Sequence, residues 1–76
     1  MTKINQFVDV NSFYFAKGMR TMPRAITYGG DYITFTDGLR LRVGNALQLF
    51  EMSATNGSVY RLSQQGSNWT LVGVTA

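Results

Sequence analysis

The chain has 76 residues, a formal net charge of +3 and a sequence pI near 9.7, and it contains neither cysteine nor histidine. A chain this short closes one small core, and these absences exclude disulfides, thiolate chemistry, the commonest general base and the commonest neutral metal ligand. The four carboxylates (Asp9, Asp31, Asp37 and Glu51) do not suggest an acid–base pair or a metal cage, so we expect no enzyme, cofactor or metal site.

The first eleven residues have an ambiguous pattern. Residues 4–8 place apolar side chains at the i, i+3, i+4 spacing of a helical turn, whereas residues 7–10 would also begin a strand. We predict a strand, with residues 1–11 either forming an extra strand of the barrel or lying poorly ordered. The aromatic run at residues 13–15 has strand character.

Residues 16–23, AKGMRTMP, are predicted to form the longest irregular stretch, and they are unusually apolar for a loop. In one interpretation the methionines close an open end of the barrel, which is an ordinary role for this flexible side chain. In the other, the stretch is a flexible contact surface for a protein partner. The candidate protein-interaction residues are Met19, Arg20, Met22 and the nearby Tyr14.

Residues 24–43, RAITYGGDYITFTDGLRLRV, are predicted to form three strands joined by two glycine turns. The first turn, Gly29-Gly30, suits a two-residue type I′ connection, because both central positions of that turn need positive φ. This turn places Ile26 opposite Ile33.

The second turn is predicted to be a three-residue loop over residues 36–38, with Gly38 in a bulge. A two-residue loop would turn Arg40 and Arg42 onto the apolar face, and burying two arginines is too costly. The three-residue loop leaves both arginines on the outer face. The predicted neighbours are Phe35 with Leu39 and Ile33 with Leu41.

The loop at residues 55–57 repeats the Thr-Asx-Gly form of the second turn and is also predicted to have three residues. That length places Phe50 opposite Leu62 in the core. It places Glu51 opposite Arg61 on the outer face, as an exposed ion pair.

The final hairpin is predicted to turn at Gln65-Gly66 and to pair Leu62 with Trp69. Short strands separated by regular glycine turns predict an all-β fold, a small antiparallel meander that closes into an SH3-like or OB-like barrel of about five to seven short strands. No repeat, linker or charge block marks a second domain, so residues 1–76 are expected to form a single domain.

The outer face of the central sheet provides a second set of candidate residues. Guanidinium groups beside a flat ring are typical of single-stranded nucleic-acid platforms, because the cation neutralises phosphate while the ring stacks on a base. Alternatively, these arginines are ordinary solubilising residues on a wet face. The candidate nucleic-acid-binding residues are Tyr32, Thr34, Arg40, Arg42, Arg61 and Arg24.

The composition favours a non-enzymatic binding module. Charged residues make up only 14% of the chain, and such a sparsely charged surface favours contact with a protein partner or a second copy. We expect protein–protein interaction or assembly, including a homo-oligomer, as in a small accessory protein of a phage or mobile element; the alternative is a nucleic-acid-binding barrel. The chain has no apolar run suited to a signal peptide or a membrane helix, so the expected location is the cytoplasm.

Overall fold

The computed structural model is a closed barrel of six antiparallel strands, which confirms the predicted all-β fold. The structure describes residues 1–16, 20–44 and 46–75, and for Ala16, Arg20, Arg42 and Val43 it describes the backbone alone. The strands are β1 (Thr2–Ala16), β2 (Arg20–Tyr28), β3 (Asp31–Val43), β4 (Leu47–Ala54), β5 (Val59–Gln65) and β6 (Asn68–Thr75). No helix in the described ranges is long and apolar enough to cross a membrane.

Strands β1 and β3 are longer than predicted, with 15 and 13 residues, because each is shared between two sheets. The first half of β1 pairs with β6 and the second half with β2, from Asp9 onward. Similarly, β3 pairs with β2 over residues 31–34 and with β4 from Phe35 onward. Each half of β1 and of β3 therefore pairs with one strand among the described residues, and its other backbone edge is unpaired. Two of these unpaired edges are discussed below: the β1 edge (residues 9–16) and the β3 edge (residues 37–43).

The barrel interior is filled by aromatic and aliphatic side chains from β2 to β6. The rings of Phe50 and Trp69 lie 5.2 Å apart between centroids, and those of Phe35 and Tyr60 lie 5.7 Å apart. The Tyr60 hydroxyl accepts a hydrogen bond from Asn56 Nδ2 at 3.0 Å, so this buried polar group has a partner. The core consists of Met22, Ile26, Ile33, Phe35, Phe50, Met52, Ala54, Tyr60, Leu62, Trp69 and Leu71.

The Gly29-Gly30 turn has the predicted geometry. Its two glycines have φ of 59° and 82°, the left-handed values that a side chain would oppose. Ile26 lies opposite Ile33, so the prediction for this hairpin is confirmed.

The loop at residues 55–57 also follows the prediction. Its glycine has a φ of 88°, and Phe50 lies opposite Leu62. On the outer face Glu51 lies opposite Arg61, and their side chains form an ion pair with 2.8 Å between Oε2 and Nη2.

The predicted pairing of Leu62 with Trp69 in the final hairpin is wrong by two residues. The turn occupies residues 66–67, so that Leu62 lies opposite Leu71 and Trp69 lies opposite Gln64. A shift of two residues keeps every side chain on its predicted face, because the strand repeat is two. The core assignment is therefore correct although the pairs are not.

The predicted hairpin loop at residues 36–38 is wrong. Strand β3 continues through this segment, which forms a bulge in the pairing with β4 between Phe35 and Asp37. The extra residue is Thr36, and the Asp37 carboxylate next to it accepts a hydrogen bond from the Gly38 N–H at 2.8 Å. Gly38 then lies opposite Met52, whose side chain occupies the space that a Cβ would need.

The bulge reverses the faces predicted for the second half of β3. Leu39 and Leu41 are 64% and 46% exposed, so neither packs against Phe35 or Ile33 in the core. Arg40 instead lies half-buried opposite Phe50. A second bulge lies between Arg40 and Arg42, and the side chain of Arg42 is outside the description.

The continuous β3 predicts opposite results for two alanine substitutions. We expect Leu39→Ala to change the free energy of unfolding by less than about 0.5 kcal/mol, because its side chain is mostly exposed. Phe35→Ala is the matched control and should lower it by about 3–5 kcal/mol, since Phe35 is buried. Urea denaturation measures the effect of Leu39→Ala, and circular dichroism shows whether Phe35→Ala still folds. A hairpin that packs Leu39 on Phe35 would instead make both substitutions costly.

Candidate interaction surface

Large apolar side chains are exposed along both named edges. The β1 edge carries Phe13 and Phe15, which are 48% and 78% exposed, and the β3 edge carries Leu39 and Leu41. Leu47 on β4, 36% exposed, adds a further apolar side chain. Unpaired N–H and C=O groups beside exposed apolar side chains are the features with which a sheet edge accepts another strand. The other large exposed apolar residues in the described part are Met1, Phe7 and Tyr32.

Phe13 links the β1 edge to the core. Its ring lies 5.9 Å from the ring of buried Trp69, in a tilted arrangement that aromatic pairs favour. Half of Phe13 nevertheless remains exposed. A side chain held on one side by the core and open on the other is suited to act as an anchor in a contact.

A small polar cluster lies at the end of the β2–β3 pairing, around Tyr14. The guanidinium carbon of Arg24 is 5.2 Å from the centre of the Tyr14 ring, a cation–π contact worth about 0.5–1 kcal/mol when exposed. Burial raises the pKa of Tyr14 above its usual value, the negative charge of Asp37 adds to this, and Arg24 acts in the opposite direction. Tyr14 is therefore a neutral phenol at neutral pH.

The two predicted protein-interaction residues whose side chains are described, Tyr14 and Met22, do not form an exposed surface. Met22 is 2% exposed and belongs to the core, so its assignment as a contact residue is wrong. The reason is that β2 begins at Arg20, inside the stretch that was predicted to be irregular, and turns Met22 inward. Tyr14 packs against the core, Arg20 has only its backbone described, and Met19 lies outside the described residues.

The described members of the predicted arginine platform are not brought together either. Tyr32 is exposed opposite Thr27, as predicted, but Arg40 lies eight residues further along the same strand, about 25 Å of extended chain. The hairpin that would have brought them together does not exist. The remaining members are separated: Thr34 is half-buried opposite Ala25, Arg61 is paired with Glu51, Arg24 lies over Tyr14, and the Arg42 side chain is not described.

A polar end of the barrel was not predicted from the sequence. Arg40 Nη1 donates a hydrogen bond to Gln48 Oε1 at 3.2 Å, and Gln48 lies opposite Gln64 on the same face as the core. The signal for it was the alternation of Gln48 with Phe50 and Met52, which directs all three inward. A cavity of about 310 Å³ lies at this end and is lined by Gly44, Ala46, Leu47, Gln48, Gln64 and Gly66.

The described residues contain no cluster that could bind a metal ion, because no three of their acidic side chains lie close enough together. The chain has no histidine or cysteine to add to them. Comparisons with protein-family models, with curated proteins and with solved structures gave no match.

Proposed function

We propose that the chain is a non-enzymatic binding module that acts through protein–protein contact, and that assembly with further copies of itself is the form this contact takes. The observation that carries the proposal is the β3 edge, where exposed Leu39 and Leu41 lie on a strand segment with a single sheet neighbour. Added strands gain main-chain hydrogen bonds there, and burial of the leucines stabilises the contact by roughly 25 cal/mol per Å² of apolar area.

The β3 edge has some of the features with which natural sheets prevent such pairing and lacks others. Two bulges and the inward-turned Arg40 are present, but the sequence DGLRLRV contains no lysine or proline. Leu39 is 64% and Leu41 46% exposed, so their described neighbours leave both leucines accessible to a partner strand.

Among the side chains that the structure describes, the distribution of charge supports a protein partner over a nucleic acid. A nucleic-acid surface needs several free cations along one groove, because phosphate neutralisation provides most of its affinity. Here Arg61 on β5 is neutralised by Glu51, and Arg24 on β2 lies over the Tyr14 ring of β1. These two arginines therefore do not share a groove.

Light scattering coupled to size-exclusion chromatography tests the proposal at micromolar protein concentration. We expect an oligomer for the native sequence and a shift toward monomer for the double variant Leu39→Ser with Leu41→Ser, because both apolar contacts are then lost. Tyr32→Ser is the matched control, since Tyr32 is 64% exposed on the other sheet and should leave the mass unchanged. A native chain that remains monomeric, or a double variant of unchanged mass, would refute the proposal.

A further inference from the structure

The polar end of the barrel contains a cation in an unusual place. Arg40 lies on the inner face, opposite a phenylalanine that is 1% exposed, and is itself half-buried. Its described hydrogen bond is to the neutral amide of Gln48. A charge held partly out of water is unfavourable unless an opposite charge or several hydrogen bonds accompany it.

No carboxylate among the described residues neutralises Arg40. Glu51 forms an ion pair with Arg61, and the Asp37 carboxylate accepts a hydrogen bond from the Gly38 N–H. The two other acids are Asp9 on β1 and Asp31 at the β2–β3 turn.

The remaining donors of Arg40 are not trapped inside the barrel without a partner. Within the described residues, the side-chain nitrogen or oxygen that is fully buried and lacks a hydrogen-bond partner is Arg61 Nε. No nitrogen of Arg40 is therefore both fully buried and unbonded. A guanidinium carries five N–H donors in a planar fork, and one of its nitrogens is engaged with Gln48 here.

The adjoining cavity offers space and orienting groups. Its volume of about 310 Å³ is at the lower end of the range for small-molecule sites, roughly 300–1,000 Å³. Gln48, which bonds Arg40, lines the cavity together with Gln64, and Ala46 with Leu47 adds an apolar wall. The cavity thus combines amide groups with a short apolar surface, and Arg40 adjoins it through its hydrogen bond to the lining residue Gln48.

We propose that this end of the barrel binds a small carboxylate on a short aliphatic stem. The carboxylate pairs with the free donors of Arg40, whose planar fork matches the two oxygens of that group. The amides of Gln48 and Gln64 orient it, and the stem lies against Ala46 and Leu47. One described cation suits the single negative charge of a monocarboxylate.

Trp69 is a built-in reporter for the test, because it is the chain's one tryptophan and lies opposite Gln64. Butyrate is the probe, butanol the neutral analogue and inorganic phosphate the tetrahedral anion. We expect saturable fluorescence and amide-resonance changes with butyrate, none with butanol, and weaker binding of phosphate.

Substitutions assign the binding to Arg40. Arg40→Gln should weaken butyrate binding by about tenfold or more, because a hydrogen-bonded charge is lost. Arg40→Lys keeps the charge and should bind with intermediate affinity, which decides the question if the glutamine variant does not fold. Arg61→Gln is the matched control, since Arg61 is also half-buried but is paired with Glu51, and should bind as the native chain does.

Three results would overturn the site: absence of saturable butyrate binding to the native chain, equal binding of butanol, or unchanged affinity in folded Arg40→Gln. Tighter binding of phosphate than of butyrate would also reject a carboxylate as the ligand. These readouts are separate from the oligomer mass, so failure of the edge contact and failure of this site are distinguishable.

Discussion

Phe50→Ala should lower the free energy of unfolding by about 3–5 kcal/mol, the usual cost of emptying a buried aromatic site. Phe50 is 1% exposed, lies opposite Leu62 and contacts the Trp69 ring. A core of this size rarely supplies more than about 3–5 kcal/mol in total. We therefore expect the variant to be largely unfolded at room temperature, measured by circular dichroism and by loss of the blue-shifted Trp69 emission.

Phe7→Ala is the matched control for this prediction, because it deletes the same side chain from a position that is 82% exposed. Its effect should lie within about 0.5 kcal/mol of zero. If Phe7→Ala and Phe50→Ala had similar effects, the assignment of inner and outer faces would be wrong. A folded and equally stable Phe50→Ala would contradict the core itself.

Gly73→Val should detach the start of β1 from β6. A Cβ at Gly73 would lie 2.9 Å from the Thr2 carbonyl oxygen and 2.7 Å from the Met1 side chain, closer than real packing allows. The obstacle is space, since the φ of Gly73 is not left-handed. Overpacking of this kind costs about 1–3 kcal/mol. Denaturant unfolding gives the loss of stability, and hydrogen exchange of the Lys3 amide, opposite Gly73, shows whether pairing is lost.

A double-mutant cycle separates this clash from a general effect of valine. Removal of residues 1–2 eliminates the atoms that the new side chain would meet, so Gly73→Val should cost less in the shortened chain than in the full chain. If Gly73→Val lowered the free energy of unfolding equally in the full and shortened chains, residues 1–2 would not be the source of the clash.

The two glycine hairpins were predictable because their geometry is local. At Gly29-Gly30 and at residues 55–57, positive φ at glycine determines the loop length, and the loop length determines which residues face each other. The apolar alternation of the adjoining strands agrees with both loops. Local and long-range preferences thus coincide, which is where prediction from sequence succeeds.

The Asp37-Gly38 segment shows where local reasoning is insufficient. The same Asp-Gly pair suits either a three-residue hairpin loop or a bulge within a continuous strand. In the structure the bulge lies just before this pair, at Thr36, while Asp37 and Gly38 pair with Ser53 and Met52 as β3 runs on along β4 as far as Val43. Leu39 and Leu41 were therefore predicted inside and lie outside, and Arg40 was predicted outside and lies on the inner face.

The ambiguity in the first residues was resolved by a distant partner. Residues 4–8 fit a helical turn as well as a strand, and β6, more than sixty residues away along the chain, pairs them as strand. A bulge between Lys3 and Gln6 places Asn5 at a φ of 54°, a conformation that asparagine tolerates better than most residues. Nothing in residues 1–11 alone could distinguish these outcomes.

The sequence alone determined the all-β fold, two of the glycine turns and which residues of β4 to β6 face the core. It also determined that the chain has no histidine or cysteine chemistry. These depend on side-chain alternation and on backbone angles of neighbouring residues, which are short-range properties. Closure of β1 on β6, the path of β3 past Gly38 and the position of Arg40 beside the polar end depend on which distant strand supplies the hydrogen bonds. That choice is made when the whole chain buries its apolar surface at once, so it becomes visible only in the folded barrel.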